Sequence, residues 1–200
     1  MMIRRARDGD RGRLYEICLR TGSAGEDATD LYADRHLLGN VYVGPYLALE
    51  PDLSFVLDDT GAVTGYVLGA GDTAQFQRRC EQEWWPPLRS TYADPPTGRP
   101  WTPDERLSHL VHHPSRTDPA VLAAYPAHVH LDLLPQAQGY GYGRRLMQHL
   151  LAEMRAASVP GVHLGVDARN ERAIGFYRHL GWRPLPRGSG GLLMGLRIAP

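Results

Sequence analysis

One stretch, Leu133-Leu134-Pro135-Gln136-Ala137-Gln138-Gly139-Tyr140-Gly141-Tyr142-Gly143-Arg144-Arg145-Leu146, constrains the fold of this chain more than any other. It opens as an apolar strand and passes through glycines at 139, 141 and 143. It continues with Leu146, Leu150, Leu151 and Met154 at helical spacing. A strand that runs through alternating glycines into a helix brings bare main chain close to a ligand. Successive N–H groups then point inward with the positive end of the helix dipole behind them, which makes an anion site out of backbone. Two other glycine motifs do not fit. A dinucleotide-binding G-x-G-x-x-G begun at Gly139 needs glycine at 144, where Arg144 stands, and a P-loop needs Gly-Lys-Ser/Thr. The chain has no lysine; its 22 basic residues are all arginine. Any phosphate is therefore held by backbone N–H groups, hydroxyls or arginine, and a Schiff-base lysine is excluded.

The rest of the chain alternates strands and helices. Residues 3–6 read as a strand. Asp8 or Asp10 caps a helix with Leu14, Ile17 and Cys18 on one face and Gly22 at its stop, and a second helix spans about residues 30–39. Residues 54–58 and 62–70 form a hairpin through Asp59-Thr60-Gly61. A polar helix over 72–85 ends at Pro86-Pro87. Residues 86–126 are irregular, with a short helix near 103–113, and are too aromatic for a free linker; they read as an insertion or lid packed on the domain. Then follow a strand at 128–134, a helix at 141–156, a strand at 162–166, and a helix at 171–180 capped by Asn170 and stopped by Gly181. Strands at 182–185 and 192–198 close the chain as a hairpin through Arg187-Gly188-Ser189-Gly190-Gly191. This order gives a mixed α/β (α+β) sheet, and 200 residues suffice for a single domain over 1–200.

Within the turn, Gln138, Gly141 and Gly143 spell Gln-x-x-Gly-x-Gly. Beyond the next strand, Asn170-Glu171-Arg172-Ala173-Ile174-Gly175-Phe176-Tyr177-Arg178-His179-Leu180-Gly181-Trp182 is similar to Asn-x-x-Ala-x-x-Phe-Tyr-x-x-x-Gly-Phe, with Trp182 in place of the usual Phe. Both segments, in this order with a strand between them, resemble the GNAT acetyltransferases; the pattern covers 127–185 closely. The resemblance implies the GNAT fold, a mixed central sheet of about six or seven strands flanked by helices, with an irregular insertion before the central strand. It implies acetyl-coenzyme A as co-substrate. Its pyrophosphate would lie on Gln138, Gly139, Tyr140, Gly141, Tyr142, Gly143 and Arg144. Asn170 and Ala173 would face the pantetheine arm, and Tyr177 the sulfur. Residues 126–135 also resemble bacterial counterparts of the acetyltransferase-like domain at the C-terminus of animal O-GlcNAc hydrolase.

The implied reaction is transfer of acetyl from a thioester to an amine, by direct attack in a ternary complex. Main-chain N–H at Leu133 or Leu134 would polarise the carbonyl, and Tyr177 would protonate the leaving thiolate. His128, His130 and Asp132 alternate and share one strand face, so Asp132 or His130 can receive the amine proton. Glu81, Glu83, Trp84, Trp85 and Trp101 could line an acidic, aromatic groove for the acceptor. No metal is expected at this row or at His109, His112 and His113, since no His-Glu-x-x-His is present. The alternative reading is a coenzyme-binding pseudo-enzyme that acts as a sensor or interaction module.

Charge and composition fit these expectations. Net charge is zero, which argues against a nucleic-acid partner. Residues 1–106 hold 12 Arg against 17 Asp and Glu, and residues 107–200 hold 10 Arg against 5, so the second half suits an anionic ligand. No apolar run reaches the ~18 residues of a membrane span. The two cysteines, Cys18 and Cys80, lack Cys-x-x-Cys spacing, and a cytoplasmic monomer or homodimer is expected.

Overall fold

Asp59-Thr60-Gly61 makes the turn its residues suggest. Thr60 and Gly61 both take positive φ (51° and 96°), as a two-residue hairpin loop demands, and the Gly61 N–H donates to Asp58 Oδ1 at 2.7 Å. It joins β2 (Ser54–Asp59) to β3 (Ala62–Ala70) in a computed structural model that describes residues 1–185 and 191–198. With β1 (Met2–Arg5), β4 (Ala127–Leu133), β5 (Gly161–Val166), β6 (Arg183–Pro184) and β7 (Leu192–Arg197) they form one seven-stranded sheet, ordered β1-β2-β3-β4-β5-β7-β6. Every pairing is antiparallel except β4 with β5. That parallel pair holds only at Ala127/Val162 and His128/His163. Past His128 the two strands part, and the sheet opens in the middle.

Strand alternation sends side chains to two cores. Tyr66 and Leu68 of β3 join Leu14, Ile17, Cys18, Leu37 and Leu38, under α1 (Arg11–Thr21), α2 (Leu37–Tyr42) and α3 (Gly44–Leu49). On that side lie also α4 (Thr73–Arg79), α5 (Trp85–Thr91) and α6 (Pro103–His112), and the single turn α7 (Pro119–Leu122) follows α6. Val67 joins Val129, Val162, Leu146, Leu150 and Met154 on the other face, under α8 (Tyr142–Ala156) and α9 (Glu171–His179). No helix among the described residues is long and apolar enough to cross a membrane.

Three local expectations are corrected. The helix expected over 30–39 forms instead over Leu37–Tyr42 and runs through Gly39, which is no stop signal. Gly39 is the close-contact point beneath Tyr15, whose Cγ would lie 2.3 Å from a Cβ there. The helix expected to end at Pro86-Pro87 runs on to Thr91. It widens to a π-turn over Cys80–Trp84, with the Trp85 N–H bonded to Cys80 O, and so places both prolines in the first turn of α5, where a missing N–H costs little. Asp10 does not cap α1 with its side chain; it accepts from the Arg7 N–H and from Arg4. The loop expected at 187–191 lies outside the described residues up to 190.

Residues of the 86–126 stretch pack on the first core through Leu88, Tyr92, Leu107 and Val111. Its main helix, α6, is fixed by a capping box between Thr102 and Glu105.

Candidate functional site

The glycine turn leaves its donors unspent. Gln138 N–H bonds to Pro135 O, and the next bonded amide is Arg145, which donates to Gly141 O. The N–H groups from Gly139 to Arg144 donate to no acceptor among the described residues. Gly139 and Gly141 make this possible by taking φ of +82° and +78°, a region costly for residues with a Cβ. Gly143 serves a different need: a Cβ there would lie 3.2 Å from Phe176 Cζ, so it lets α8 approach α9. Tyr140 is exposed, and Arg145 lies over the Tyr142 ring.

These amides open on a cavity of about 330 Å³ beside the C-terminal half of β4. Of the residues expected to hold the coenzyme, Leu133, Gln138, Gly139, Gly141, Tyr142, Gly143, Arg144, Asn170, Ala173 and Tyr177 line it, and so does Asp132. Leu134 and Tyr140 do not; Leu134 is fully buried in the first core. Thr21, Gly25, Leu131, Ala137, Arg172, Phe176 and His179 line it as well. Arg172, Phe176 and His179 stand inside the Asn170–Trp182 motif but were not named as site residues from it. Thr21 and Gly25 arrive from the end of α1 and had no local signal.

Strand register separates the two candidate amides. Leu134 N–H donates to Thr64 O, so residues 64/134, 66/132 and 68/130 are the hydrogen-bonded pairs of β3 and β4. The N–H groups of Leu131 and Leu133 therefore point away from β3, toward the opening beside β5. Leu133 O faces the same way and is met by the Gln138 side-chain amide at 2.7 Å. Gln138 thus braces the strand end. Asn170 spends its side-chain oxygen on the Ala173 N–H at 3.0 Å, as the N-cap of α9. Tyr177 is buried against Phe176 and Trp182. Burial, with the nearby Asp132 charge adding, pushes its hydroxyl well above the usual phenol range.

The polar row of β4 points toward the first core. His128 is half-buried beside Tyr46 and Phe76, with Nδ1 2.8 Å from Thr73 Oγ1, and desolvation pushes its pKa down to about 3. His130 Nε2 lies 3.1 Å from Asp132 Oδ2 and 3.1 Å from the Tyr66 hydroxyl, which itself donates to Asp132 Oδ2 at 2.5 Å. Asp132 faces the coenzyme-side cavity, whereas His130 faces a second one of about 340 Å³. Tyr42, Tyr46, Phe76, Trp85, Glu81, His128 and His163 line that second cavity, and Pro114–Thr117 form a wall without filling it. Glu81 is paired with Arg89. Burial also holds His163 below the usual imidazole range. Of the other residues expected at an acceptor groove, Glu83 pairs with Arg79, Trp84 donates to Asn40 O, and Trp101 donates to Pro96 O. His109 and His113 both bond to Asp94, while His112 bonds to Tyr92 O.

The model of the Acetyltransferase (GNAT) family matches residues 13–182. The O-GlcNAcase proteins of Rattus norvegicus and Mus musculus are each 26% identical over 173 residues, which is 86% of this chain and 19% of theirs. The chain spans about a fifth of the length of those curated relatives. Among solved structures, SsHAT is 39% identical, with a TM-score of 0.92 over 100% of this chain and 98% of that one. The putative acetyltransferase yncA from Salmonella typhimurium, solved with its cofactor acetyl-CoA, is 17% identical, with a TM-score of 0.58 over 100% and 95% of the two chains; that likeness is one of fold. The pseudo-enzyme reading finds no support in these comparisons.

Proposed function

The chain belongs to the Acetyltransferase (GNAT) family, and from that premise we propose that it moves an acetyl group from acetyl-coenzyme A to a primary amine by direct attack in a ternary complex. The observation that carries this reading is the run of unspent amides from Gly139 to Arg144 at the mouth of a cavity. A diphosphate is the kind of ligand that needs such donors, and the helix dipole of α8 adds to them. Arg144 and Arg172 flank the same mouth and extend the attraction for an anion. From there the cavity leads along Asn170 and Ala173 to Tyr177 and the C-terminal half of β4.

An alkylamine has a pKa near 10.4, so only about one in a thousand is neutral at pH 7. The second cavity favours the neutral form, because Tyr42, Tyr46, Phe76 and Trp85 stand in its wall and burial holds its histidines His128 and His163 below the usual imidazole range. In the proposed step the amine nitrogen attacks the thioester carbon. His130, backed by Asp132, takes the amine proton, and the Leu133 N–H stabilises the charge that develops on the carbonyl oxygen. As the C–N bond forms, the C–S bond breaks, and Tyr177, kept protonated by its surroundings, gives its proton to the sulfur. The two free, buried cysteines support a cytoplasmic setting for this chemistry.

The test is acetyl-coenzyme A turnover against a panel of small-molecule and peptide amines, followed by thiol release. Turnover with at least one amine, and a fall in kcat of about 10²–10⁴-fold in Tyr177→Phe, is the expected result. Tight coenzyme binding without turnover on any amine contradicts the proposal.

A further inference from the structure

We propose that Tyr66 is a positioning residue for the base: its hydroxyl holds the Asp132 carboxylate behind His130, so that Nε2 of His130 carries the ring proton and Nδ1 is the atom that receives the acceptor's proton. The proposal rests on the function proposed above and names the atom through which that site works.

The reasoning is one of donors and acceptors. Tyr66 has no exposed surface, and a buried hydroxyl without a partner is costly. It sits directly opposite Asp132 in a hydrogen-bonded pair of β3 and β4, which aims its ring along the polar row. Its hydroxyl hydrogen goes to Asp132 Oδ2 at 2.5 Å. Having spent its one hydrogen, the same oxygen can only accept from His130 Nε2, 3.1 Å away. The other neighbour of Nε2 is the Asp132 carboxylate, also an acceptor. Both partners of Nε2 accept, so Nε2 must donate. A neutral His130 then bears its lone pair on Nδ1, which has no hydrogen-bond partner among the described residues, and the ring borders the second cavity.

The other titratable groups around the pair keep this arrangement near neutral pH. Cys18 of α1, next to Tyr66, is a buried thiol pushed well above its usual range. Tyr42 of α2 stacks on the His130 ring at 6.0 Å between centroids, and partial burial raises its hydroxyl above the usual phenol range. Tyr66 itself and Tyr177 of α9 are raised by burial and by Asp132, and His128 on the same strand is uncharged. Asp132 is thus the acidic group that faces His130. Once His130 accepts a proton, the adjacent carboxylate balances it, and Tyr66 holds that carboxylate oxygen beside His130.

Two measurements test this. The first is ¹⁵N NMR of the histidine rings in the unmodified protein, which needs no acceptor and stands even if the acceptor is not an amine. Neutral His130 is expected as the Nε2–H tautomer; a resting Nδ1–H tautomer overturns the proposal. The second is Tyr66→Phe, which keeps the buried ring and removes the hydroxyl. It is expected to lower kcat about 10–100-fold, to change the dissociation constant for acetyl-coenzyme A by less than about twofold, and to give a mixture of His130 tautomers. A folded Tyr66→Phe protein with wild-type kcat and an unchanged tautomer also overturns it.

Discussion

Gly141→Ala isolates what the turn contributes. Gly141 ends the turn and starts α8 with φ 78° and ψ 3°, and nothing lies within 4 Å of the position a Cβ would take. Alanine there meets no neighbour, so its whole cost is that of left-handed backbone, about 1–2 kcal/mol. That cost can appear in two places. If the turn keeps its shape, the folded state bears it, and Tm falls by about 2–4 °C per kcal/mol in a chain of this size, or roughly 2–8 °C in all. If the turn relaxes instead, the neighbouring amides rotate away and must be rebuilt on binding, which weakens acetyl-coenzyme A about 5–30-fold at 1.4 kcal/mol per decade. Gly175 is the control: it lies on the exposed face of α9, also with open space around it, and there alanine is expected to stabilise by about 0.5–1 kcal/mol without changing affinity. Calorimetric titration and thermal unfolding of both variants give the comparison. A Gly141→Ala protein with unchanged Tm and unchanged affinity refutes the reasoning.

Other variants probe the surroundings. His128 binds a proton only below about pH 3 when folded but near 6.5 when unfolded, so its contribution to stability declines as pH falls from about 6.5, with a slope of up to ~1.4 kcal/mol per pH unit. Urea unfolding between pH 7 and 5 is expected to show that slope, and His128→Gln to flatten it. Asp10 is held below its usual range chiefly by the hydrogen bond from Arg4, with the Arg7 N–H adding. That stabilisation is present above an unfolded pKa of about 3.9 and is lost as pH falls below it. Asp10→Asn is expected to cost about 2 kcal/mol at pH 7 by chemical denaturation and to lessen the loss in acid. Arg172→Ala, an exposed change at the cavity mouth, is expected to weaken acetyl-coenzyme A about 2–5-fold in calorimetry at low salt and less at high salt.

What could be read from the chain was local. The strand–glycine–helix run and the Asn170 cap depend on neighbours in sequence, and both stand where the residues place them. Gly39 and Pro86-Pro87 misled because a glycine and a proline pair have more than one use. One glycine is a packing gap under Tyr15, and the prolines begin a new helical turn after a π-turn. The choice between the Leu133 and Leu134 amides required the β3–β4 register, which no single strand contains. Tyr66 was invisible for the same reason: within its apolar strand it is one more large residue, and only the pairing with Asp132 gives its hydroxyl a purpose. Thr21 and Gly25 reach the cavity through tertiary packing, with Gly25 so close to Asn170 that a Cβ would lie 2.8 Å from Nδ2.

The most direct measurement is a crystal structure with acetyl-coenzyme A bound. The pyrophosphate oxygens are predicted within hydrogen-bonding distance, about 2.7–3.2 Å, of main-chain nitrogens between Gly139 and Arg144, with the thioester beside the Leu133 N–H and Tyr177. A coenzyme whose pyrophosphate lies elsewhere, with those amides bonded only to solvent, would contradict the account.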